Sequence, residues 1–490
     1  MKKFYITTAI DYVNGDPHIG HAYEKILADV LARWHYLKGD DVFFLTGTDD
    51  NAQKNQEAAK KAGKNTKEFI DENAKKFEEL CNDLNIKYNY FIRTTESRHE
   101  KVSKEIFKIV YDKREIYKGS YEGLYCTGCE AFLTERELVD GKCPEHDEKP
   151  KKLKEESYFF KLSKYRNELI KLIESKDFLL PKEKKNEILS RLKDEELKDL
   201  SVSRINKEWG IKTPIDNNHV IYVWFDALIN YVSGLDYPNG KNYKKYWPAD
   251  VHLIGKGINW FHSVIWPAML ISSGIKLPKT ILVHGYLTVN GNKIGKSLGN
   301  VVSPKFFIDK YGVDQLRYYL IREIPFGQDG DVSEEVLKNR TNNELANELG
   351  NLVSRVLTLT DKYFNGKIKG SIFNKELKTK LNLKKIESHI DKFELHNAIS
   401  EIFKFISECN KYVNKEKLWE LEGKKLEKHL YNLLESLRII SILIYPFIPN
   451  TSEKINTQLN VKQGLLKDCK FRLIKSYSTK KGEILFKKIK

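Results

Sequence analysis

Phe4-Tyr5-Ile6-Thr7-Thr8-Ala9-Ile10, then Asn14-Gly15-Asp16-Pro17, then His18-Ile19-Gly20-His21: this opening stretch decides the reading of the chain. The first segment is an apolar run of strand type and the second a turn signal. After them Ile19, Ile26, Leu27, Val30, Leu31 and Trp34 recur at helical spacing, so the histidine pair opens a helix, with Pro17 suited to its first turn. A helix start attracts phosphate through its free amides, and two imidazoles add further donors. Some 270 residues on, Lys293-Ile294-Gly295-Lys296-Ser297 follows Leu287-Thr288-Val289-Asn290-Gly291 in a loop and offers two ammonium groups to a polyphosphate. Either string alone is weak in a lysine-rich chain. Their order, separation and local context together point to ATP.

The 490 residues suffice for two or three domains with real cores, and 41% hydrophobic and 31% charged residues describe a globular protein. No apolar run approaches a membrane span, and the N-terminus enters a strand at once, which argues against a secretory or transit peptide. The net charge of +16 favours a polyanionic partner. Six cysteines, three clustered and three scattered, do not form a secreted disulfide framework, so a reducing, cytoplasmic compartment is expected. Cys126-Thr127-Gly128-Cys129 and Cys143-Pro144-Glu145-His146 make two ligand pairs across a short linker. Three thiolates and an imidazole suit one tetrahedral zinc ion per chain, structural because no coordination position stays open. The segment is too charged to build a core, so the metal would supply folding energy.

With these motifs the chain resembles the class I aminoacyl-tRNA synthetases, and among them the methionine-specific enzymes. The likeness runs from Tyr5-Ile6-Thr7-Thr8-Ala9-Ile10 to Leu485-Phe486 and includes Arg317-Tyr318-Tyr319-Leu320-Ile321-Arg322-Glu323-Ile324-Pro325-Phe326-Gly327. It implies an α/β fold: a Rossmann-type parallel sheet split by a zinc-knuckle insert and followed by an α-helical bundle. The expected division is 1–114 and 206–325 for the two catalytic halves, 115–205 for the insert, and 326–490 for a stem-contact segment and anticodon-binding bundle. An insert this short excludes the isoleucine, valine and leucine enzymes, whose editing domains are much larger. Among rivals, a cysteine-specific synthetase would use zinc inside its active site, whereas this knuckle is expected away from the histidine helix. A tRNA-binding paralogue without activity is opposed by retention of His18, His21, Lys293, Lys296 and Asp49. A bare nucleotidyltransferase leaves the helical C-terminal third unexplained.

The resemblance assigns His18, Gly20, His21, Lys293, Lys296 and Ser297 to ATP, with His18, His21, Lys293 and Lys296 catalytic and Mg2+ accompanying the nucleotide. It assigns Ile10, Tyr12, Asp49, Trp224, Ala227, Leu228, Tyr231, Ile258, Phe261, His262 and Trp266 to methionine, with Asp49 on the ammonium. Aromatic edges suit a thioether, at about 0.3–1.5 kcal/mol per contact. The implied reaction is formation of methionyl-adenylate, then transfer to the 2′-hydroxyl of the terminal adenosine of initiator and elongator tRNA(Met). Four departures stand out. Asp49-Asp50-Asn51-Ala52 replaces an Asp-Glu-His-Gly, Gly257 replaces a ribose-contacting aspartate, Lys293-Ile294-Gly295-Lys296-Ser297 replaces Lys-Met-Ser-Lys-Ser, and Leu418-Trp419 replaces Pro-Trp.

Beyond residue 325 the periodicity is helical, with Leu337, Leu345, Leu349, Leu352, Val353, Val356 and Leu357 on one stripe. Residues 366–380 have linker-like composition. By resemblance Asn347, Asn351 and Arg355, spaced for one helical face, read the anticodon, and Trp419 stacks on one of its bases. Since the chain stops at the short tail that ends the core enzyme, without a dimerisation module, a monomer is expected.

Overall fold

The computed structural model describes residues 1–129, 131–133, 135–145, 147–205, 208–289, 291–293, 302–370 and 375–489. The opening apolar run is strand β1 (Lys3–Thr8), in the middle of a seven-stranded sheet. The other strands are β2 (Asp11–Tyr12), β3 (Asp41–Asp49), β4 (Tyr90–Arg93), β5 (Leu179–Leu180), β6 (Val251–Gly255) and β7 (Thr280–His284). Their order is β2-β3-β1-β6-β7-β5, with β4 also paired to β3, and every pairing is parallel. From β1 the chain winds to β3 on one side, and β6 and β7 extend the sheet on the other. The cleft outside the carboxyl ends of β1 and β6 therefore sits at a topological switch point, where such sheets bind ligands. β5 falls within the stretch expected to be insert, so that stretch also returns a strand to the main sheet.

Helix α1 (Ile19–Lys38) follows β1 and is buried along most of its length. His18 is its N-cap, which places Pro17 one residue before the cap rather than in the first turn. The apolar stripe read from the sequence is buried, and so are Glu24, Lys25, Asp29 and Arg33, each of them paired. Asp29 accepts from Arg33 at 2.7 Å and from Arg317 at 2.6 Å. Arg317, on α2 (Val313–Glu323), also donates to the carbonyls of Leu84, Pro446 and Phe447. One buried guanidinium thus fixes the histidine helix against the C-terminal bundle.

That bundle includes α3 (Asn351–Phe364), α4 (Leu395–Lys415) and α5 (Gly423–Ile444). The stripe Leu337 to Leu357 is buried as expected, but Thr341–Gly350 winds as a π-helix rather than a regular α-helix. Residues 366–380 are not a plain linker. Lys367–Lys369 pairs antiparallel with Ser476–Ser478, and Lys375–Lys380 is helical. Single buried anchors, Ile368 and Leu377, hold these short elements, and one apolar residue per element leaves no period to detect.

The insert is built on a long antiparallel pair, Ile116–Cys126 with Lys151–Phe160. Its base shares the core of the catalytic sheet, with Tyr158, Phe160, Leu162, Tyr165, Leu169 and Ile173 buried there. The lack of apolar residues expected for this region holds only toward the cysteine-bearing tip.

Candidate active site

At the start of α1 the two histidines cap the helix reciprocally. His18 Nδ1 accepts the amide of Gly20 at 3.1 Å, and His21 Nδ1 accepts the amide of His18 at 3.0 Å. The rings stack with centroids 3.7 Å apart. A Cβ at Gly20 would lie 2.9 Å from the His18 ring, so a larger residue there would push that ring aside. A cavity of about 220 Å³ opens over this helix end, walled by His18, His21, Glu24, His284, Tyr286 and Leu287. Beneath it Lys25 donates to Asp11 at 2.9 Å and to Glu24 at 3.2 Å, and His284 Nε2 lies 3.1 Å from Glu24. Burial works against the Lys25 charge, but Asp11 and Glu24 outweigh it and hold the ammonium protonated.

The lysine-bearing segment meets the same place at both of its ends. Leu287 lines the cavity, and the backbone of Asn292–Lys293 pairs back on Leu287–Val289. On its return the chain hands the carbonyl of Val302 to the amide of Ile19, the first residue of α1, at 3.0 Å. Lys293 is described by its backbone alone; Lys296 and Ser297 lie outside the described residues. Two chain segments far apart in sequence thus converge on one helix start.

Beside this cavity the methionine-assigned residues come together as a box of rings. Trp224 stacks on Phe261 with centroids 3.8 Å apart, and Tyr12 meets the Trp224 ring edge-on at 6.3 Å. Tyr231 lies 5.9 Å from the Trp266 ring. Leu228 and Ala227 are buried, while Ile10 and Ile258 are half-buried. Phe261 and His262 sit on a five-residue π-helix, Phe261–Ile265, a distortion common at functional sites. His262 Nδ1 lies 2.9 Å from the carbonyl of Ile258, which can only accept, so that nitrogen carries the proton. Its Nε2 then accepts the Tyr231 hydroxyl at 2.7 Å. Burial pulls the His262 pKa down to about 4, so the ring is neutral at physiological pH.

Asp49 ends β3, buried, with the Asn51 amide at 3.2 Å. Burial, with Asp226 nearby, pushes its pKa well above the usual carboxylate range. A bound ammonium would relieve both effects, which is the chemistry expected of an amino-acid anchor. The departure at 51 has a structural role: Asn51 donates to Asp226 at 2.8 Å and to the carbonyl of Thr94 at 3.2 Å. Asp226 also receives His99 at 2.8 Å and Ser103 at 2.9 Å. At 257 there is no side chain, and the hydroxyl of Tyr286 stands where a Cβ would be.

The knuckle cysteines meet as expected. The sulfurs of Cys126, Cys129 and Cys143 lie within 4.8 Å of one another, and the Cys129 amide points at the Cys126 sulfur. Three converging soft donors fit zinc; His146 lies outside the described residues. The knuckle, expected away from the histidine helix, touches the aromatic box. Trp224 donates its indole N–H to the carbonyl of Cys129 at 3.2 Å, and Lys54 donates to that of Gly128 at 3.3 Å. The long β-pair brings the tip to Trp224 and Lys54, a long-range contact that residue spacing does not encode.

Several neighbours escaped the sequence reading. Lys54 holds its ammonium 3.2 Å over the Tyr12 ring. His252, buried on β6, receives the Trp266 indole at 3.3 Å and bonds Thr7 at 2.7 Å. A histidine inside the apolar run Val251-His252-Leu253-Ile254 was the available signal. Far from these, Arg355 lies 6.0 Å from the ring of Trp419, which is 50% exposed and so no core anchor. Asn351 and Arg355 are exposed and Asn347 half-buried, the last inside the π-helical stretch, so the even i, i+4 spacing of one regular face does not hold through it.

A Rossmann-type sheet with a histidine-capped helix at its switch point, an insert bearing a cysteine cluster and a C-terminal helical bundle define a class I aminoacyl-tRNA synthetase. The family of tRNA synthetases class I (M) matches residues 4–152 and 146–357, and the anticodon-binding domain of tRNA ligase matches 376–485. The methionine–tRNA ligase of Caldanaerobacter subterraneus subsp. tengcongensis is 48% identical, covering 100% of this chain and 79% of the relative. That of Thermotoga maritima is 47% identical over 99% and 80%. Among solved structures, the Mycobacterium tuberculosis methionyl-tRNA synthetase in complex with methionyl-adenylate superposes with a TM-score of 0.95 at 38% identity, covering 99% of this chain and 100% of that one. Its free-state form gives 0.88 at 36% identity, over 100% and 99%. The chain belongs to the methionine–tRNA ligase family of class I aminoacyl-tRNA synthetases.

Proposed function

We infer that this chain activates L-methionine with ATP and transfers it to tRNA(Met), releasing AMP and pyrophosphate. The observation that carries this reading is the adjacency of two compartments: a ring-lined box holding the Tyr231–His262 pair, and a cavity at a histidine-capped helix start. The methionine carboxylate is already nucleophilic at neutral pH and attacks the α-phosphorus in line, so no general base is needed. Positioning and charge stabilisation do the rest. Asp49 holds the ammonium, and the thioether lies among Trp224, Tyr231, Phe261 and Trp266, with Ile10, Tyr12, Ala227, Leu228 and Ile258 completing the walls. His18 and His21 serve the phosphates with the amides about Gly20, and Lys293, Lys296 and Ser297 serve the departing pyrophosphate. Mg2+ supplies countercharge to the triphosphate when bound.

The acyl group then passes to the 2′-hydroxyl of the terminal adenosine, on initiator and elongator tRNA alike. Asn347, Asn351, Arg355 and Trp419 would read the anticodon, the exposed indole being the stacking platform. Cys126, Cys129 and Cys143, with His146, would hold one zinc ion whose contribution is to fold the tip that Trp224 and Lys54 grip. Residues 1–114 and 206–325 act as the catalytic halves, 115–205 as the insert and 326–490 as the tRNA-binding part, in a cytoplasmic monomer. Among the described residues no helix is long and apolar enough to cross a membrane. ATP–pyrophosphate exchange across the amino acids tests the reading: methionine alone should support it strongly, and exchange driven by cysteine instead would reject it.

A further inference from the structure

We propose that Tyr286 and Glu145 read the ribose hydroxyls of the nucleotide, from a position that only a glycine at 257 leaves open. The proposal rests on the cavity at the α1 start being the nucleotide site. Gly257 lies in the short turn Lys256–Ile258 immediately after β6, at the carboxyl edge of the sheet. A Cβ built there would stand 1.9 Å from the Tyr286 hydroxyl and 3.6 Å from a Glu145 carboxylate oxygen. Any side chain at 257 displaces the phenol. In its place the hydroxyl donates to Glu145 at 3.0 Å.

The phenol is held from several directions. Asp329 accepts the Tyr286 amide at 2.8 Å and also binds Lys256, whose ammonium lies 4.6 Å from the centre of the Tyr286 ring. The ring forms part of the cavity wall beside His18, His21 and His284. Glu145 comes from the insert, two residues after Cys143, and meets the cavity wall through the Tyr286 hydroxyl.

The chemistry singles out the sugar among the parts of a nucleotide. Phosphates need amides and cations, which the helix start and the lysine segment offer, and a carboxylate repels them. A base needs an apolar face. A carboxylate acceptor beside a phenol that both donates and accepts suits neighbouring hydroxyls, which do the same. The ribose also lies between base and phosphates, so its reader belongs on the wall flanking the helix start.

Calorimetric titration of the full chain with ATP, 2′-deoxy-ATP and 3′-deoxy-ATP tests this in the wild type and in Tyr286→Phe, Glu145→Gln and Gly257→Ala. The wild type should bind ATP about tenfold tighter than at least one deoxynucleotide, the scale of one hydrogen bond to a charged partner. In all three variants the ratio should fall to within about twofold by weakening of ATP alone, with methionine affinity and Tm unchanged. Discrimination retained in any variant, or absent from the wild type, overturns the proposal. Because nucleotide binding is measured without an amino acid, a wrong assignment of methionine would surface in the exchange assay and not here.

Discussion

The two compartments of the site are built in opposite ways. The box proposed for the amino acid is internally bonded. Trp224 rests on Phe261, Tyr231 on His262, His262 on the Ile258 carbonyl, and Trp266 on His252, most of them buried. The cavity proposed for the nucleotide is open, its histidines cap their own helix, and the lysine-bearing segment joins it at Leu287 and Val302. Apolar discrimination is limited to about 1–3 kcal/mol per methylene, so a box must be rigid to use it. Charge stabilisation of a departing group needs donors only where charge develops, and these can come from a separate segment.

The sharpest way to break this contrast is Lys296→Ala. It should slow methionine-dependent pyrophosphate exchange by about 10²–10³, with methionine affinity unchanged. Exchange at the wild-type rate would remove the cationic segment from the chemistry. Asp49→Asn attacks the other compartment and should raise the methionine KM about 10²-fold by stranding a buried ammonium, leaving the ATP KM alone. A matched rise in the ATP KM would show that the two compartments are not separable.

The rigidity of the box has a pH signature. His262 titrates near 4 in the folded protein, lowered by burial from an ordinary value of 6.5. Between those values the unfolded chain binds the extra proton and the native chain does not. Stability from this group is therefore complete above pH 6.5, lost as the pH falls towards 4, and constant below, by about 3 kcal/mol in all. Urea denaturation of wild type and His262→Gln across pH 4–7.5 gives the difference curve. The variant should lose less stability on the acid side, although buried His252, also depressed, keeps part of the slope in both proteins. Parallel curves would mean that His262 is solvated.

The smallest effect belongs to the distant face. Trp419→Ala should raise the tRNA KM about tenfold in aminoacylation and leave pyrophosphate exchange untouched, as expected for loss of one stacking platform. A change in exchange would place Trp419 in the catalytic half's support instead.

Much of the site was legible because its chemistry is local. A turn followed by His18-Ile19-Gly20-His21 and a helical stripe needs only neighbouring residues to be read, and the cysteine pairs carry their own spacing. Resemblance supplied the aromatic box, whose rings would otherwise pass for ordinary core. What stayed hidden was long-range or solitary. Lys54 looks like any surface lysine until the fold lays it over Tyr12 and under Gly128. Ile368 and Leu377 anchor short elements without any period.

By itself, then, the sequence determined the histidine-capped helix start, the cysteine cluster and the helical C-terminal third, since each follows from residue types within a few turns of chain. Only the tertiary structure decided that the knuckle leans on Trp224, that Val302 returns to Ile19, and that Tyr286 takes the room left by Gly257. Those contacts join residues 29 to 283 positions apart, brought together by a parallel sheet and a long antiparallel arm, and no local spacing rule reaches that far.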